Sequence, residues 1–268
     1  MKRREFLTSS IAAAGLGTLL TGSKAEAQET GAPAAREFYE LRLYHLRRGA
    51  QTESFDRFYS GAAIPAFNRA GVEWVGVFNI AVGSESPSVY VLLTHKSIES
   101  VATTTDRMLH DAEYLKAGAE FINAPAANPA YLRVDSSLMA AFSAMPKLEV
   151  PALGGGNKTC MFELRTYESA SKKANKKKIE MFEHGEITIF RRNGVQPVFF
   201  GETLIGTRLP NLTYMVVFEN QAAHDKNWAA FSADPEWKKL RSMPGYEDAE
   251  IVSNITNVFL RPTSYSQI

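Results

Sequence analysis

Phe38-Tyr39-Glu40-Leu41-Arg42-Leu43-Tyr44 recurs as Met161-Phe162-Glu163-Leu164-Arg165-Thr166-Tyr167, 123 residues further along the chain. At the same displacement Phe67 meets Phe190, Gly71-Val72 meets Gly194-Val195, and Asp111-Ala112-Glu113-Tyr114 meets Asp234-Pro235-Glu236-Trp237. Four blocks in one register mark an internal duplication, which constrains the fold more than any single motif. The segment between the copies, residues 143–158, carries Pro146, Pro151 and Gly154-Gly155-Gly156 and reads as a linker. The domains are therefore expected at 36–142 and 159–262.

Within each copy the hydrophobic periods alternate. A short strand leads into a helical stretch in which Phe55, Phe58, Tyr59, Ala62 and Ala66 recur at spacings of three and four, matched less cleanly by Phe182, Glu186, Ile189 and Phe190. Pro65 should bend or shorten the first of these helices. Gly71 or Gly194 suits the helix C-terminus and leads into a second strand. A third strand (89–94 or 212–218), a second helical region (98–121 or 221–241) and a last strand (near 131–142 or 249–260) complete the order βαββαβ, twice. The fold class is thus α+β: two tandem ferredoxin-like domains, each a four-stranded antiparallel sheet with its helices on one face. The bare faces need partners, and packing them together gives an intrachain α/β barrel whose interior can hold a ligand.

Glu-Leu-Arg-x-Tyr in the first strand, the glycine before the second strand and Asp234-Pro235-Glu236-Trp237 resemble the NIPSNAP family of the dimeric α/β-barrel superfamily. The resemblance spans nearly the whole chain after its N-terminal segment, although the first copy departs to Asp111-Ala112-Glu113-Tyr114. It implies the barrel fold. The wider superfamily holds monooxygenases, haem-handling enzymes, isomerases and ligand binders, so it implies no single activity.

The chain opens Met1-Lys2-Arg3-Arg4-Glu5-Phe6-Leu7, followed by an apolar run from Ile11 to Leu20 and small residues at Ala25 and Ala27. These are the parts of an export signal over residues 1–27, and the paired arginines resemble the twin-arginine (Tat) type. The expected destination is the periplasm or the exterior, and the apolar run falls short of the roughly 20 residues of a spanning helix. Of the 30 basic and 29 acidic residues, 26 and 27 remain after removal of this segment. So neutral a chain sets up no field for nucleic acid. A single cysteine, Cys160, excludes an intramolecular disulfide framework and multi-cysteine metal sites. No dinucleotide fingerprint, Walker loop, nucleophile elbow or His-Glu-x-x-His occurs, no metal site is expected, and no cofactor is identified. Similar helix surfaces would allow a homo-oligomer.

Strand alternation places Tyr39, Leu41 and Leu43 on one face and Glu40, Arg42 and Tyr44 on the other; Cys160, Phe162 and Leu164 likewise oppose Glu163, Arg165 and Tyr167. With the apolar set under the helices, the polar set points into the barrel. Arg42, Arg165, Tyr44, Tyr167 and Glu40 then become candidate ligand-binding residues, the arginines forking onto a carboxylate or enolate. The bland alternative is that Glu and Arg two apart neutralise each other and fasten the sheets, which the symmetry of the pattern favours. Candidate catalytic residues are Glu163 as a base and His184, a histidine without counterpart in the first copy, one turn after Glu180. A solvated His184 paired with Glu180 is the simpler expectation. His45 and His95 fall at strand ends and read as exposed turn histidines, Cys160 as core, and Lys172, Lys173, Lys176, Lys177 and Lys178 as a solvated run. Three functions stay open: a small-molecule binder, an enzyme of the monooxygenase or isomerase kind, and a protein or membrane interaction module. Replacing Arg3 and Arg4 together by lysine is expected to abolish export, seen as precursor retained in the cytoplasmic fraction; unchanged export would refute the twin-arginine assignment.

Overall fold

The computed structural model describes residues 35–82, 85, 87–152 and 160–268; the proposed export signal lies outside them. The first half runs β1 (Phe38–His45), α1 (Ala50–Phe58), a π-helical turn (Tyr59–Ala63), α2 (Ile64–Arg69), β2 (Val75–Val82), β3 (Val89–His95), α3 (Ile98–Leu109), α4 (Ala112–Ala117), α5 (Ala119–Ile122) and β4 (Arg133–Ala141). The second runs β5 (Met161–Glu168), α6 (Lys172–Met181), a π-helical turn (Phe182–Glu186), α7 (Ile187–Arg192), β6 (Gln196–Ile205), β7 (Asn211–Phe218), α8 (Gln221–Ala233), α9 (Pro235–Arg241), α10 (Asp248–Ile251) and β8 (Asn254–Pro262). The expected βαββαβ order is present in both halves. The last strand of the second half starts later than expected, because Asp248–Ile251 forms a helical turn.

The strands close one antiparallel barrel in the order β1-β3-β2-β8-β5-β7-β6-β4. Each half contributes four consecutive strands, and β2 with β8 and β4 with β6 make the two seams. Pro65 does not end its helix. It sits at the start of α2, directly after the π-helical turn. The second half has a π-helical turn at the same repeat position without a proline, there broken by a non-helical Gly185, so Pro65 is not a requirement for the widening. Gly71 and Gly194 take φ values of 96° and 77°, a region that L side chains rarely enter, and they turn each helix back toward its sheet.

The repeated acidic motif also has a physical reason. Asp111 caps α4, accepting from the backbone amides of Glu113 and Tyr114 at 2.9 and 3.1 Å. Asp234 caps α9 through Glu236 and Trp237 at 2.9 and 3.3 Å. Each aspartate also binds the arginine that ends the preceding half-helix, Arg69 at 2.7 Å and Arg192 at 2.8 Å, so the cap ties both helical layers together.

Three apolar clusters result: one under the helices of each half, and a third inside the barrel. Tyr39, Phe78, Phe162, Phe199 and Met215 are fully buried in that interior cluster. Leu148, from the segment joining the halves, and Ile268 pack into it from one end. The described part of the joining segment is therefore a plug as well as a linker, with the amide of Leu148 held by Glu37 at 2.7 Å. Phe199→Ala is expected to cost about 3–5 kcal/mol of unfolding free energy in urea denaturation; a loss under about 1 kcal/mol would mean that the interior is not close-packed there.

Candidate functional site

The strand faces are opposite to the sequence expectation. Tyr39, Leu41, Cys160, Phe162 and Leu164 belong to the barrel interior, whereas Tyr44 and Tyr167 belong to the helix-covered clusters. Glu40, Arg42, Glu163 and Arg165 share their strands' outer faces with these tyrosines. A guanidinium needs polar partners and room for its plane. The helices supply both, and a narrow eight-stranded interior does not.

In the first half Arg42 grips Glu40 with two bonds of 2.7 and 2.8 Å, and its guanidinium lies 5.5 Å from the Phe67 ring centre. Ser136 donates to the same carboxylate at 2.9 Å. Burial works against the charged form of Glu40, but the bonds from Arg42 and Ser136 outweigh it and hold its pKa below the ordinary value. In the second half Arg165 bonds Glu163 at 2.6 Å and Tyr167 at 3.2 Å, and the Trp228 indole donates to Glu163 at 2.9 Å. Arg165 also lies 4.9 Å from the Trp228 ring centre. Both Glu-Arg-Tyr sets thus fasten helices to the outside of the barrel.

Each glutamate has a histidine beside it, drawn from different elements. His95 at the end of β3 lies 3.8 Å from Glu40, and His224 on α8 lies 3.3 Å from Glu163. Contrary to expectation His45 and His95 are buried. Burial lowers the pKa of His95 to about 4, so it is neutral at pH 7 and its approach to Glu40 is not an ion pair. His184 is exposed, 3.8 Å from Glu180, as the simpler expectation had it. Lys178 departs from the solvated run. It is buried against Glu186 at 3.1 Å and faces the Phe182 and Tyr167 rings, where the first half has Phe55 and Ala63.

A cavity of about 300 Å³ opens at the barrel end opposite the Leu148 plug. Leu41, Leu43, Met139, Leu164 and Val258 give it apolar walls, and Thr166, Thr203, Thr213 and Thr256 add hydroxyls. None of the sequence-predicted ligand or catalytic residues lines it. Its ionisable groups are instead His45, Glu85, Tyr90, Arg133, Asp135 and Arg208, from strand ends and hairpins. His45 Nε2 lies 2.8 Å from Asp135 and Nδ1 lies 3.2 Å from Glu85. Burial raises the pKa of Tyr90. The second-half counterparts of His45, Glu85, Tyr90 and Asp135 are Glu168, Arg208, Thr213 and Val258. That mismatch, within an otherwise symmetric scaffold, is the signal by which sequence comparison of the halves could have found this site. Among the described residues no three His, Cys, Asp or Glu side chains converge as metal ligands, and no helix is long and apolar enough to cross a membrane.

This architecture and its two-fold pattern are those of tandem NIPSNAP domains. The NIPSNAP family model matches residues 39–144 and 162–267, and the chain belongs to that family. No curated protein matches it. Among solved structures, a candidate monooxygenase from Lactobacillus acidophilus NCFM aligns with a TM-score of 0.54 at 9% identity, covering 85% of this chain and 94% of the other. A candidate monooxygenase from Fusobacterium nucleatum gives 0.53 at 7%, covering 85% and 93%. A NIPSNAP-like domain protein from Burkholderia xenovorans gives 0.37 at 22%, covering 41% and 91%. The first two likenesses show the shared barrel fold.

The buried neutral His95 makes a pH prediction. Its folded pKa lies below the unfolded value of roughly 6.5, so the unfolded chain binds the extra proton, and stability present above that pH is lost as the pH falls toward about 4. The loss attributable to His95 is up to about 3 kcal/mol. His95→Phe, which copies its counterpart Phe218, should flatten this limb in urea titrations at pH 7 and pH 5; an unchanged pH dependence would place the titrating group elsewhere.

Proposed function

We propose that the protein binds a small organic ligand in the cavity at the open end of its barrel. The observation that carries this reading is the unlike chemistry of the two cavity walls: a His45-Asp135-Glu85-Tyr90 wall faces a threonine-rich wall holding Arg208. A pocket that served only packing would have no reason to break the repeat at these positions and keep it in the clasps outside. The mix of leucine surface and convergent hydroxyls suits a ligand with an apolar body and a few oxygen groups. The Glu-Arg-Tyr sets act in this reading as fasteners that keep the walls in place. Export by the twin-arginine route would put the ligand in the periplasm or outside the cell.

A second reading is favoured by the 2.8 Å contact between His45 and Asp135 on the cavity wall. A carboxylate that orients an imidazole beside a bound ligand can support proton transfer without a cofactor. This is the isomerase or monooxygenase alternative, moved from Glu163 and His184 to His45, and the candidate monooxygenases of the same fold are compatible with it.

Native mass spectrometry of the exported chain tests the binding reading. Wild-type protein should carry an added small-molecule mass, or take one up from an extract of its compartment. Leu164→Trp, which fills the cavity from its wall, should lose it. Retention of the same mass by a folded Leu164→Trp variant would place the ligand outside the barrel.

A further inference from the structure

Arg208 sits on the β6–β7 hairpin at the cavity rim with φ 58°, a left-handed backbone that a residue other than glycine keeps only when its surroundings hold it. Asn211 supplies that hold. Its side-chain amide donates to the carbonyls of Thr207 and Arg208 at 2.9 and 3.1 Å, and its oxygen accepts from Thr203 at 2.5 Å. The guanidinium is then oriented by a 3.1 Å bond from Nη1 to the Thr256 hydroxyl on β8.

Among the described residues no carboxylate lies within ion-pair distance of Arg208. The acids of the opposite wall are engaged elsewhere, Glu85 and Asp135 at 3.2 and 2.8 Å from His45, with Arg133 3.9 Å from Asp135. In the repeat, Arg208 stands where the first half has Glu85, so the charge is specific to one wall. The same cavity is lined by Leu164 and Val258 and by Thr166 and Thr213, whose hydroxyls lie 2.9 Å apart. Ile205 and Leu209 on the same hairpin are exposed large apolar residues.

From these positions we infer that the cavity selects an amphipathic organic acid: its carboxylate pairs with Arg208 beside the Thr256 hydroxyl, and its apolar body lies against Leu41, Leu43, Leu164 and Val258. This rests on the cavity being a ligand site. A guanidinium already oriented by a hydroxyl loses little freedom on meeting a carboxylate, which is how a rim arginine gains selectivity.

Calorimetric titration of the mature chain with octanoate and with octanamide, equal in length and differing in charge, tests the inference. Wild type should favour octanoate by at least about tenfold, the range of one charged hydrogen-bonded contact. Arg208→Gln should remove that preference, bringing octanoate affinity to within about twofold of octanamide affinity in the same variant. Thr256→Val, a smaller change at the orienting hydroxyl, should weaken octanoate binding by about threefold and serves if Arg208→Gln fails to fold. Equal binding of the two probes to wild type, or full octanoate affinity in a folded Arg208→Gln variant, overturns the acid selectivity and leaves cavity binding standing. Absence of binding by either probe overturns the selectivity as well, and only if native mass spectrometry also finds no cavity-dependent mass does the binding reading fall with it.

Discussion

Four strands from one half leave the edges of β2 and β4 unpaired, and four from the other leave β6 and β8. The pairings of β2 with β8 and β4 with β6 satisfy all of them at once and close the sheet on itself. Closure removes every free strand edge, and it also makes the two bare sheet faces one another's solvent. The interior that results is small, so it accepts leucine, valine, phenylalanine and methionine packed to contact and has no place for a long charged side chain. That volume limit acts in the closed middle of the barrel, away from the mouth where Arg133 and Asp135 line the cavity. It sends Glu40, Arg42, Glu163 and Arg165 outward under the helices, where Phe67 and Trp228 offer aromatic faces to the guanidinium groups.

Once the charged face is outside, the helices are anchored by polar bonds as well as by apolar area. Glu163 shows how far this goes, receiving Arg165, Trp228 and the approach of His224 within 2.6 to 3.3 Å. Buried carboxylates of this kind are costly unless every lone pair finds a partner, so the cluster constrains where α8 lies more tightly than leucine contacts would. The Asp111 and Asp234 caps do the same for the second helical layer through Arg69 and Arg192. These contacts hold the helices to the barrel from outside.

Much of this was legible in the sequence because the repeat fixed it. The displacement of 123 residues located both halves, the strand order and the glycine turns, and the matched spans 39–144 and 162–267 keep the same displacement. What alternation could not reveal is which face of a strand is inside. Tyr39-Leu41-Leu43 and Glu40-Arg42-Tyr44 are both compatible with burial, and the choice depends on the interior volume, which no local pattern encodes. The cavity was hidden for a related reason. His45, Glu85, Asp135 and Arg208 lie at strand ends and in hairpins, far apart in sequence, and only barrel closure gathers them at one mouth. His95 looked like a turn residue because it ends a strand, yet that end is covered by α3, whose Ser100 hydroxyl lies 3.1 Å from its ring.

The two kinds of position behave oppositely under duplication. Glu40 and Glu163, Arg42 and Arg165, Arg69 and Arg192, Gly71 and Gly194, and Asp111 and Asp234 are identical between the halves, and each has a structural task at both places. His45 and Glu168, Glu85 and Arg208, Tyr90 and Thr213, and Asp135 and Val258 all differ, and apart from Glu168 all line the one cavity. In a barrel built from two separate copies of one domain, any change on one wall would appear on both, and the mouth would keep a two-fold symmetric lining. Joining the copies in one chain lifts that restriction. A negatively charged group and a positively charged one can then occupy equivalent places across a cavity, which lets an asymmetric molecule be held in a single orientation.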